Sequence, residues 1–124
     1  KMLGFYQPVD MNTTSTIIYN TIKGGQTVPM KFEVFDPLNN NIELTNVATT
    51  IKNFTQNKLT TCVSGAPTDD IEITTTGGTS LAYNTGSGQF QANWKTPTGP
   101  SGSCWKAEVT TFNSPSLAAY FKLK

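Results

Sequence analysis

Between Val28 and Phe35 the chain alternates, with apolar Val28, Met30, Phe32 and Val34 separated by Pro29, Lys31 and Glu33. Side chains on a strand leave opposite faces with a period of two, so this pattern buries one face and wets the other. Gly24-Gly25 in front and Asp36-Pro37-Leu38-Asn39-Asn40-Asn41 behind are turn formers that mark both ends. A half-buried strand cannot stand alone, so the remainder of the chain has to supply its neighbours.

Shorter alternations do so. In residues 1–10, Leu3, Phe5 and Val9 are expected to share a face, and Pro8 confines the segment to a sheet edge or an extended arm. Ile17-Ile18-Tyr19, Ile42-Glu43-Leu44 and residues 48–55, 58–63 and 71–75 are predicted as further strands. Leu81-Ala82-Tyr83 and residues 90–94, joined across Asn84-Thr85-Gly86-Ser87-Gly88, read as a hairpin. Trp105, Ala107 and Val109 alternate with Lys106 and Glu108, the Phe112-Asn113-Ser114-Pro115 turn follows, and Leu117, Ala119, Phe121 and Leu123 line the inner face of the last strand. No stretch carries a 3.6-residue period. Threonine suits the pleat and Asn and Gly suit turns, so the chain is expected to be all-β, an antiparallel two-sheet sandwich. Its 124 residues suffice for one core. Residues 1–15 are expected as an arm or first strand, and residues 16–124 as the sandwich.

Several functions are excluded at this level. The net charge is +1 and all nine basic residues are lysines, which argues against nucleic acid and against an anionic membrane. Histidine is absent, so neither a Ser-His-Asp nor a Cys-His site can be built, nor any metal site that includes His. No paired-carboxylate motif or phosphate-cradling glycine loop is present, and no catalytic residue, metal or cofactor is expected. No apolar run is long enough to span a bilayer and no leader is visible, so the chain reads as a mature exported product.

Cys62 and Cys104 make an even count, which in an exported chain favours a disulfide over two buried thiols. Asn12-Thr13-Thr14 and Asn53-Phe54-Thr55 match the N-glycosylation acceptor pattern, making Asn12 and Asn53 candidate surface sequons. Lys31 is a candidate for an intramolecular isopeptide bond, set against its reading as a solvated strand lysine. Asp69, Asp70 and Glu72, or Asp36 with Asn39 and Asn41, offer oxygens to calcium, although neither set has the EF-hand spacing and exposed turn carboxylates are the simpler reading. Trp94 and Trp105 suggest a carbohydrate platform, but both fall on inward positions, which favours the core.

Gly4-Phe5-Tyr6-Gln7-Pro8-Val9-Asp10, Ile22-Lys23-Gly24-Gly25-Gln26-Thr27-Val28-Pro29-Met30-Lys31-Phe32 and Thr76-Gly77-Gly78-Thr79-Ser80-Leu81-Ala82-Tyr83 occur in order. Gly88-Gln89-Phe90, Trp94-Lys95-Thr96, Gly102-Ser103-Cys104 and Ala119-Tyr120-Phe121-Lys122-Leu123-Lys124 follow. In these motifs the chain resembles the PxKF domain family of secreted bacterial and archaeal surface proteins, nearly end to end. The resemblance implies an exported Ig-like module with no established enzymatic activity and supplies no catalytic residues.

The expected role is therefore extracellular and structural: a surface or filament subunit in which the arm carrying Leu3, Phe5 and Val9 completes a neighbour's sheet, giving a homopolymer by strand addition. The alternative is an adhesion module that contacts carbohydrate or a cell-envelope partner through its loops.

Overall fold

The computed structural model describes residues 1–113 and 115–124; Ser114, within the predicted Phe112–Pro115 turn, lies outside the described residues. Two five-stranded sheets face each other. The first contains β1 (Met2–Gly4), β3 (Thr27–Asp36), β8 (Gln89–Lys95) and β7 (Thr79–Asn84) in that order, with β4 (Asn39–Leu44) also paired to β3. The second runs β5 (Ile51–Lys58), β9 (Cys104–Thr111), β10 (Leu117–Leu123), β2 (Tyr19–Ile22) and β6 (Thr68–Asp70). One helical turn, α1 (Val47–Thr50), precedes β5.

Every apolar residue of the opening alternation is sealed: Val28, Met30, Phe32 and Val34 have no exposed surface. They meet Ala107, Val109, Ala119, Phe121 and Leu123 from the facing sheet, with Phe90 stacked on Phe32 at 5.4 Å between ring centroids. The last two alternations of the chain, in β9 and β10, thus supply the opposite wall. Pro29 fits a buried strand because the backbone groups of odd-numbered β3 residues face away from β8. Thr75 N–H and Tyr6 N–H reach Thr27 O and Lys31 O on that side, so the missing proline N–H falls on an edge and not in the β3–β8 ladder.

Strand order β1-β3-β8-β7 against β5-β9-β10 corresponds to the ABED and CFG sheets of constant-type immunoglobulin domains. The second sheet is mixed, because β2 runs parallel to both β10 and β6. The other named pairs are antiparallel, as expected of the sandwich; at β2 the chain crosses from the first sheet to the second and arrives alongside its own C-terminal strand.

Four predicted strands change. The piece at Ile17-Ile18-Tyr19 lies instead at Tyr19–Ile22, where Asn20 is fully buried among apolar neighbours. Residues 48–55 begin as a helical turn, since the Asn46 side chain accepts a hydrogen bond from Thr49 N and caps it. The strand expected over 58–63 ends at Lys58, because Lys58 pairs with Trp105 and Leu59 N takes the carbonyl of Cys104, where β9 begins. Residues beyond it have no ladder to join, and Val63 is half exposed. The strand expected over 71–75 moves to Thr68–Asp70, which claims the free edge of β2, leaving Ile73 exposed.

Candidate functional site

The N-terminal segment is the first candidate. Met2, Leu3 and Gly4 pair antiparallel with Val34, Glu33 and Phe32, and the terminal amine and carbonyl of Lys1 both bond to Phe35. Phe5 and Val9 are buried, Phe5 packing edge-on to Phe32 at 5.8 Å. Leu3 departs from the expected shared face and is 37% exposed. Alternation breaks at Gly4, whose φ of 120° belongs to glycine, and a Cβ there would lie 2.9 Å from Lys31 O. Leu3 opposite Glu33 therefore points outward, while Phe5 turns into the core.

Two polar devices hold the segment. Asn20 accepts from Asp10 N at 2.8 Å and donates to the carbonyls of Asp10 and Tyr120, both at 2.9 Å. The Tyr6 hydroxyl donates to Glu33 Oε1 at 2.5 Å, and its pKa is raised by burial first and by that hydrogen bond second. Glu43 lies beside Glu33; burial, then the neighbouring Glu33 carboxylate, holds its carboxyl above the ordinary range. Thr13–Thr16, linking the segment to β2, is exposed throughout. Asn20 was not legible as a site residue, because its partners Asp10 and Tyr120 are brought to it only by the packed sheets.

Cys62 and Cys104 form a disulfide, with Cα atoms 5.5 Å apart. It ties the loop after β5 to the start of β9 and does not cross between sheets. Asn53 stands exposed on edge strand β5. Asn12 is half-buried and its Oδ1 accepts from Ile18 N, so only its amide nitrogen points away from that turn. Asp36 and Asn39 turn the β3–β4 hairpin, accepting from Leu38 N and Asn41 N. Lys31 is half-buried and has no ion-pair partner among the described residues.

Of the predicted acidic group, Asp69 and Glu72 converge with Asp10, their ligand-type oxygens lying within 4.8 Å of one another. Asp10 first, and then the other acids, raises the Asp69 carboxyl. Asp70 belongs elsewhere: hydrogen bonds from Thr21 first and Lys124 second lower its pKa. Three carboxylates, two of them exposed, fall short of the six or more oxygens a hard cation takes.

Trp94 and Trp105 are half-buried, not fully inward as the period suggested. Trp94 packs edge-on against Phe121 at 5.1 Å and toward Trp105 at 6.4 Å, and it also borders a flank groove of about 420 Å³ with Phe54, Gln56, Ser80, Leu81 and Asn93. That groove was missed because a strand period says which face is inward but not where two sheets gape.

No helix among the described residues is long and apolar enough to cross a membrane. Compared with protein-family models, curated proteins and solved structures, the chain matches none.

Proposed function

We propose that this protein is an extracellular structural module, a surface or filament subunit that joins copies of itself by exchange of the N-terminal strand. One observation carries the reading: a short edge strand, followed by the two deep apolar anchors Phe5 and Val9, is attached to the domain through an exposed Thr/Ser connector. Burying Phe5 and Val9 is worth roughly 1.5–3 kcal/mol for each side chain. The same contacts form whether the segment comes from the same chain or from a neighbour, so concentration and connector geometry decide which seat it fills. Each acceptor then donates its own segment onward, and a polymer grows without any catalytic group.

An extracellular compartment is supported by the disulfide, which persists in oxidising surroundings, and is compatible with the exposed acceptor pattern at Asn53. The resemblance to the PxKF family of surface proteins agrees with this placement.

Deleting residues 1–10 tests the reading. Full-length protein concentrated at neutral pH is expected to form oligomers or fibres visible by electron microscopy and light scattering, and the deleted chain, added in excess, to cap them as an acceptor without a donor. Assembly of the deleted chain alone into the same polymers would reject strand exchange.

A further inference from the structure

The groove on the flank of the sandwich lies between the unpaired edges of β5 and β7, where the two sheets part. It is lined by the apolar Trp94, Ala92, Phe54 and Leu81 and by the polar Gln56, Ser80, Thr79 and Asn93. Gln56 is on the inner face of β5 with Phe54, so its amide opens into the gap. Neither Gln56 nor Ser80 makes a side-chain hydrogen bond among the described residues. Asn93 is fixed, accepting from Gln91 Nε2 through Oδ1 at 3.0 Å, while its backbone N–H donates to Thr79 Oγ1. Among the described residues no carboxylate lines the groove, and Lys95 is the charged one that does.

An added strand is a poor occupant. Both flanking edges are irregular: β7 shifts register against β8 between Thr79 and Ala82, and β5 shifts against β9 between Ile51 and Asn53. Bulged edges and edge lysines, here Lys52 and Lys58, obstruct further pairing. An indole, a phenyl ring and several uncharged amides and hydroxyls instead suit a ligand with an apolar face and many hydroxyls. Stacking takes up the face, and amides that both donate and accept take up the hydroxyls.

We infer that this flank groove binds a neutral saccharide, one or two sugar units long, with a sugar face against Trp94 and its hydroxyls bonded to Gln56 and Ser80. Phe54 of the groove also packs toward Phe5 of the N-terminal segment, ring centroids 6.3 Å apart, a contact that forms whichever copy supplies Phe5, so the site does not depend on strand exchange.

A panel of neutral gluco-, manno-, galacto- and N-acetylglucosamine di- and trisaccharides, titrated into the intact 15N-labelled protein, tests it. Such shallow sites are weak, so the titration runs to about 20 mM. The expected result is a saturable shift of the Trp94 indole N–H and of backbone amides 78–81 with at least one sugar, the Trp105 indole moving little. Gln56→Ala should weaken that binding roughly five- to tenfold, the loss of one hydrogen bond, with the melting temperature unchanged. Trp94→Phe, which keeps an aromatic group against Phe121, should weaken it further.

Silence from the whole panel would overturn the proposal. So would shifts that spread over the surface and ignore both substitutions, or groove shifts that follow protein concentration without sugar, the sign of a protein strand in the groove.

Discussion

Asn20 shows how much of this structure hangs on one buried polar residue. Fully buried, it satisfies three backbone groups at once, two on Asp10 and one on Tyr120, and so fastens the N-terminal segment to both β2 and β10. Asn20→Ala would leave those groups dry and unpaired, and chemical denaturation should register a loss of about 3 kcal/mol; a loss under a third of that would mean water replaces the amide. Glu43 makes a different prediction. Its pKa is raised, so over the interval from the ordinary carboxylate range up to the raised value the folded state holds a proton that the unfolded state has released. Stability from this group is complete below that interval and falls as pH rises through it. Glu43→Gln removes the titration, and urea melts across pH should show the variant gaining on the parent toward neutral pH and matching its trend in acid. Parallel curves would contradict the assigned cause. Neither residue was legible in the sequence, because a single Asn and two acids ten positions apart acquire meaning only once the sheets place their partners.

Among the elements, those with a strong period were legible and those set by a competitor were not. β3, β8, β9 and β10 lie where alternation put them, since each turns one alternate set of side chains toward the core. Residues 59–63 and 71–75 alternate as well, yet they lie outside strands because the neighbouring ladder ends at Cys104 in one case and Thr68–Asp70 takes the β2 edge in the other. β1 is a three-residue edge strand that depends on Gly4. Gly4→Ala places a Cβ against Lys31 O in a conformation that side chains rarely adopt, at a cost of about 1–3 kcal/mol. Hydrogen exchange should speed up first in residues 1–11; uniform destabilisation of both sheets would contradict the local role. The disulfide closes a span of 42 residues, and replacing both cysteines with serine should cost about 4 kcal/mol in the chain-entropy account. Calorimetry of the double variant checks it.

At the scale of the molecule, the sandwich is one core between two sheets, with an N-terminal segment whose apolar anchors are deep and whose backbone pairing is brief. All-β architecture and two sheets were readable from period and turns alone. The parallel docking of β2 beside β10 was not, since alternation is blind to strand direction. The flank groove escaped for a related reason: sheet divergence is a property of the pair and of no single strand. The central claim, that the N-terminal strand can seat in a neighbour, rests on the pairing of Leu3 with Glu33, both on the outer face. Opposed Cα atoms in such a pair lie about 5.5 Å apart, within disulfide reach. Leu3→Cys combined with Glu33→Cys, oxidised after concentration and run on a non-reducing denaturing gel, measures the claim directly. A ladder of covalent multimers, with positions 3 and 33 linked between chains by peptide mapping, is the predicted result. A single monomeric band carrying the same link within one chain would contradict it.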